Sequence, residues 1–160
     1  KSLDSDLGFP IIIVVHRKAQ ATNVLPYLLQ QFLEMEVLEI EDKTEIEINK
    51  MYVVPGDYHM LFESKNRVSL DASEKVNYSR PSIDVTFKSV AEIFGKNAVA
   101  ILLSGANADG VEGLEYIKRN GGEVWIQKRQ KWIICRNTRW LKWITIVFSI
   151  RKTWLGKLIS

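Results

Sequence analysis

The chain has 160 residues, 46% of them hydrophobic, a net charge of +3 and one cysteine. That is the size and balance of one ordinary globular domain, and a lone Cys135 excludes an internal disulfide or a cysteine-rich metal site. The longest apolar run, Pro10 to Val15, falls far short of the ~20 residues that span a bilayer, and the polar start has no signal-peptide pattern. A cytoplasmic protein without a transmembrane segment is expected.

The first element is a strand over residues 11–15, a β-branched run that is apolar on both faces and so reads as a buried parallel strand. A helix over 23–32 follows, with Val24, Tyr27, Leu28 and Phe32 at helical spacing and Pro26 in its first turn, where proline is tolerated. Short strands are predicted at 37–40, 46–48, 51–54 and 59–63. The turn Pro55-Gly56-Asp57 between the last two suggests a hairpin. A second helix opens in Arg80-Pro81-Ser82-Ile83-Asp84, with Ser82 as its N-cap, and runs to about Phe94. Residues 98–103 form another two-faced apolar strand, and the loop 104–110 leads into a third helix bearing Val111, Leu114, Tyr116 and Ile117. Asn120-Gly121-Gly122 stops that helix before a strand at 123–126. This order implies an α/β fold, doubly wound, with a mainly parallel sheet and flanking helices.

In such folds chemistry lies beyond the carboxyl ends of the strands. Two capable residues fall there: His16, after the first strand, and Asp109, in the loop after strand 98–103. Two neighbouring parallel strands would bring them together. A histidine beside a carboxylate can serve as the base and orienter of a hydrolytic triad. From spacing alone, His16 reads equally as a solvated residue and Asp109 as a turn residue or helix cap.

Four segments carry a resemblance. Val14-Val15-His16, Tyr52 to Met60 (YVVPGDYHM), Ser79 to Phe87 (SRPSIDVTF) and Ile101 to Gly113 (ILLSGANADGVEG) are similar, in order and spacing, to the signatures of the CheB-type protein-glutamate methylesterase domain. The likeness runs from about Phe9 to Gln127. It implies a Rossmann-like hydrolase that removes methyl groups from glutamate esters on bacterial chemoreceptors, some members also deamidating glutamines. The expected partners are the methylated cytoplasmic domains of those receptors. No cofactor or metal is implied, since ester hydrolysis by a triad needs none. The family's Ser-His-Asp triad maps onto His16 and Asp109. Arg80 either shapes the substrate cleft or forms an ion pair at the helix start, and His59 is a scaffold or rim residue.

Two departures stand out. The family's nucleophile lies in a G-x-S-x-G-G loop after an earlier strand, and no such loop occurs here, so Ser2 and Ser5 do not inherit the role. The resemblance therefore describes residues 1–128 as a methylesterase domain lacking its first strand, serine loop and helix. Strand 11–15 is then expected to expose an unpaired apolar edge. The alternative is an inactive receptor-binding module of the same fold. The family often carries a receiver domain N-terminally, and the resemblance allows for one in the full-length protein. In the second departure Asn107 replaces a glycine in the loop before Asp109, at the edge of the expected cleft; asparagine is the next-best residue for a left-handed backbone.

The tail, 129–160, is atypical. It holds eight of the 22 basic residues, none of the 19 acids and four of the five tryptophans. The basic excess thus belongs to the tail, and the domain itself gives no reason to expect a nucleic-acid partner. One reading of the tail is a basic amphipathic helix with Ile133, Leu141, Ile144, Val147 and Phe148 on its apolar face. Another is a frameshifted translation, because the Lys-Trp-Ile triplets at 131–133 and 142–144 both become a hydrophobe-Asp pair when read one base earlier.

Overall fold

The computed structural model of the chain describes residues 7–17, 24–103 and 108–126, and the backbone of 145–149. The elements in order are β1 (Ile11–Val14), α1 (Val24–Gln30), β2 (Glu36–Glu39), β3 (Lys50–Val53), β4 (His59–Ser64) and β5 (Arg67–Asp71). Then come α2 (Ile83–Phe94), β6 (Ala98–Leu102), α3 (Val111–Arg119), β7 (Glu123–Ile126) and β8 (Thr145–Ser149). A six-stranded sheet has the order β2-β3-β1-β8-β6-β7. The pairs β1–β3, β2–β3 and β6–β7 are parallel, and only β8 runs against its neighbours.

Why the strands are apolar on both faces follows from the two clusters they separate. Alternate residues of a strand point to opposite sides of the sheet. Ile12 and Val14 of β1 face a cluster with Phe87, Val90, Leu114 and Ile117 of α2 and α3. Ile11, Ile13 and Val15 face the other, with Val37, Met51 and Val53, against which Leu25, Leu29 and Leu33 pack. The helices therefore flank both faces, as expected. Each fully buried aliphatic or aromatic side chain contributes ~1.5–3 kcal/mol. Phe87, at 0% exposure, is the largest apolar anchor of α2.

Several elements differ from the sequence expectation. Residues 46–48 form no strand; Glu45 makes an isolated bridge to Arg67 instead. The Pro55-Gly56-Asp57 turn does not close a hairpin, because β3 joins the large sheet while β4 pairs with β5 in a sheet of their own. In helix α1 the apolar stripe of Val24, Tyr27 and Leu28, with Phe32 beyond it, is exposed, and the leucines one residue along, about 100° round the helix, take the core contact. Both stripes are apolar, so periodicity could not choose between them.

Strand β1 has no open edge, because β8 lies between β1 and β6 and bonds to both. The part of the tail at 145–149 is thus a strand of the same sheet rather than a helix. The rest of the tail, with Cys135 and the tryptophans beyond Trp125, lies outside the described residues. So do Asn107, Ser2 and Ser5.

Candidate active site

Because β8 is antiparallel to both β1 and β6, those two strands run in the same direction and end at the same edge of the sheet. His16 lies two residues past the end of β1, and Asp109 in the loop between β6 and α3. The strands are not neighbours, contrary to expectation, since β8 separates them. Their end loops nevertheless meet above it. His16 Nε2 lies 2.6 Å from Asp109 Oδ2.

Asp109 is held from its other side by the start of α2. The Ser82 hydroxyl donates to Oδ1 at 2.7 Å, the Ile83 N–H to Oδ2 at 2.7 Å and the Asp84 N–H to Oδ1 at 3.1 Å. The two N–H groups are otherwise unsatisfied donors of a helix N-terminus, where the macrodipole also favours negative charge. Ser82 performs two tasks at once, accepting from the Val85 N–H as N-cap while its own proton goes to Asp109.

Burial opposes ionisation of Asp109, which is 2% exposed, but the hydrogen bonds from His16, Ser82, Ile83 and Asp84 outweigh it and hold the carboxyl below its ordinary value. An ionised Asp109 can only accept, so His16 Nε2 carries the proton of that contact. The lone pair of Nδ1 is then the basic site of the ring. This is what proton abstraction from a nucleophile requires.

His59, expected as scaffold, is 1% exposed and bonded at both nitrogens. The Ser82 N–H donates to its Nδ1, which makes Nε2 the protonated nitrogen, and that group donates to the Glu74 carbonyl at 3.0 Å. It braces the peptide that precedes α2. Arg80 lies close by in the same segment. Its Nη1 donates to the carbonyls of Ala72 and Ser73, which ties the β5–α2 connection, and among the described residues it pairs with no carboxylate. Sequence reading missed two contributions. The Ser82 hydroxyl bond to Asp109 was one; the capping pattern shows where its oxygen goes but not its proton. The other was Arg17, beside His16, which reaches Glu39 at 2.6 Å and the Val54 carbonyl at 3.1 Å, anchoring the β1 loop to the ends of β2 and β3.

The comparisons with known proteins agree among themselves. The family model for the CheB methylesterase matches residues 1–135. A relative from Leptospira interrogans is 38% identical over 126 residues, 79% of this chain and 65% of its own length. The protein-glutamate methylesterase/protein-glutamine glutaminase of Sulfurimonas denitrificans is 35% identical over 127 residues, 78% of this chain and 36% of its own. Among solved structures, the Thermotoga maritima CheB methylesterase catalytic domain superposes with a TM-score of 0.67 at 34% identity, covering 71% of this chain and 61% of that one. The chain spans less than two thirds of the length of each of these relatives.

Proposed function

The chain belongs to the CheB methylesterase family, and we propose that it contributes the base and its orienting carboxylate to a protein-glutamate methylesterase acting on methylated bacterial chemoreceptors in the cytoplasm. The observation that carries this reading is the 2.6 Å contact between His16 Nε2 and Asp109 Oδ2, with the carboxylate fixed by three further donors at the start of α2.

The chemistry follows from the two protonation states. Nδ1 of His16 takes the proton of a serine hydroxyl as its oxygen attacks the ester carbonyl, and Asp109 stabilises the imidazolium. The imidazolium returns the proton to the departing methoxide, releasing methanol and leaving an acyl-enzyme. Water then attacks, His16 again accepting a proton and passing it to the serine oxygen as the acyl bond breaks, so that the serine is regenerated and glutamate leaves with its carboxylate restored. The nucleophile is a serine in the family's glycine-rich loop, which these 160 residues do not contain.

The test is methanol release from a receptor fragment bearing glutamate methyl esters, using the gene product that includes the serine loop. Asp109→Asn should lower kcat by ~10⁴-fold and His16→Asn by ~10⁶-fold. Full activity in either variant would sink the assignment. A second reading of the same fold is a receptor-binding module without turnover. It predicts that the gene carries no serine loop upstream of codon 1, and that the protein binds the fragment without releasing methanol.

A further inference from the structure

Asp84 is buried to 1% exposure, and the chemistry above gives it no task. Its surroundings mirror those of Asp109. Its Oδ1 accepts from the Gly113 N–H at 2.6 Å, in the first turn of α3, and its Oδ2 from Asn77 Nδ2 at 2.9 Å. The loop that enters α3 is the loop that carries Asp109, which in turn accepts from the first N–H groups of α2. The two helices therefore exchange acidic caps: α2 lends Asp84 to the start of α3, and the approach to α3 lends Asp109 to the start of α2.

We infer that Asp84 is a positioning residue for the His16–Asp109 pair, fixing the loop that aims Asp109 at His16; the inference rests on the functional reading above. Asp109 has a fixed oxygen for His16 only if its backbone is fixed, and that backbone turns at Gly110 directly into α3. Gly110 has φ +99°, and a side chain there would meet Ile83 at 3.0 Å, so the turn is closely packed on α2. The Asp84–Gly113 bond is the polar clasp holding α3's first turn against α2. It is also a costly one. Burial first, with the charge of Asp109 behind it, pushes the Asp84 carboxyl above its usual range against the N–H groups of Gly113 and Gly110. A neutral cap such as serine would satisfy α3 without setting a second buried carboxylate near the first. A carboxylate differs in accepting from Gly113 and Asn77 at once, which ties α2, α3 and the turn before α2 into one unit.

The test uses the His16 Nε2–H proton, observed by NMR in the present chain and identified by its loss in His16→Asn. A side chain with a merely structural role would change this proton's exchange only in step with that of the protected backbone amides of the sheet. In Asp84→Ala the exchange should accelerate about tenfold, and kcat of the serine-bearing protein should fall about tenfold with KM unchanged, short of the ~10²-fold loss that an ångström of misplacement can cause. Asp84→Asn should recover most of both, because its amide oxygen still accepts from Gly113 and Asn77 can turn its own oxygen to the new NH₂. Unchanged exchange and kcat in folded Asp84→Ala would overturn the inference and leave the functional reading intact. Exchange that depends on Asp84 in a protein releasing no methanol would do the reverse, supporting the positioning role and removing the reading. If Asp84→Ala does not fold, Asn77→Gly removes one donor while suiting the positive φ at that position (51°). Its expected acceleration is smaller, and no acceleration there also overturns the inference.

Discussion

Asp109 and Asp84 sit within one hydrogen-bonding step of each other yet titrate in opposite directions, and the pH dependence of stability separates them. Asp109 is held below 3.8, so in the window between its folded value and 3.8 the unfolded chain binds the proton and the fold does not. Its contribution is present above about pH 3.8 and is lost as pH falls through the lower, folded value. Asp84 is raised above 3.8, so between 3.8 and its folded value the fold binds the proton and stability declines as pH rises. Urea unfolding followed from pH 2 to 7 should show Asp109→Asn flattening the acid-side rise in stability. Asp84→Asn should remove the opposing decline above pH 3.8. Identical profiles for the two variants would contradict the assigned directions. The sequence pointed to Asp109 by its place in a loop after a strand. It could not show that three donors from α2 would hold it ionised, because those donors lie more than twenty residues away.

At the scale of elements, the site depends on how closely α3 approaches α2. Gly113 makes that approach: a Cβ built there lies 2.6 Å from Phe87 Cβ and 3.1 Å from the Asp84 Cα and Oδ1. Gly113→Ala gains up to ~1 kcal/mol of helix propensity. The contact is with the stem of a buried residue on a packed helix, which has little room to give, so overpacking should prevail and cost ~1–3 kcal/mol. The expected net result is a lower melting temperature together with faster exchange of the His16 Nε2–H, since the Asp84–Gly113 bond lengthens. A melting temperature equal to or above wild type would mean that α3 shifts without strain. Sequence pattern located α2, its Ser82 cap and α3 well. It could not say which of two apolar stripes of α1 faces the core, and it took β3 and β4 for a hairpin. The turn chemistry at Pro55-Gly56-Asp57 is local, whereas the choice of sheet for each strand is made by partners distant in sequence.

At the scale of the whole molecule, the sheet is continuous only because β8 occupies the place between β1 and β6. Removing residues 129–160 would leave two facing rows of unpaired backbone groups in the middle of the sheet, a strong invitation to intermolecular pairing. The truncated chain should aggregate or lose its cooperative melt, as read by light scattering and circular dichroism. A monomeric, cooperative product would show that the two halves close on each other without β8. What the sequence determined by itself was the α/β class, the two-faced strands, the family signatures and the identity of His16 and Asp109 as the residues to watch. All of these rest on local composition or on motifs read in order along the chain. The tertiary structure decided that β1 and β6 are separated by a strand of the tail, and that His16 and Asp109 still meet above it. It also decided that α2 and α3 hold each other by exchanged carboxylates. These facts depend on which backbone donors come to face which buried carboxylates once the chain has folded, and such partners lie too far apart along the chain for any local pattern to record.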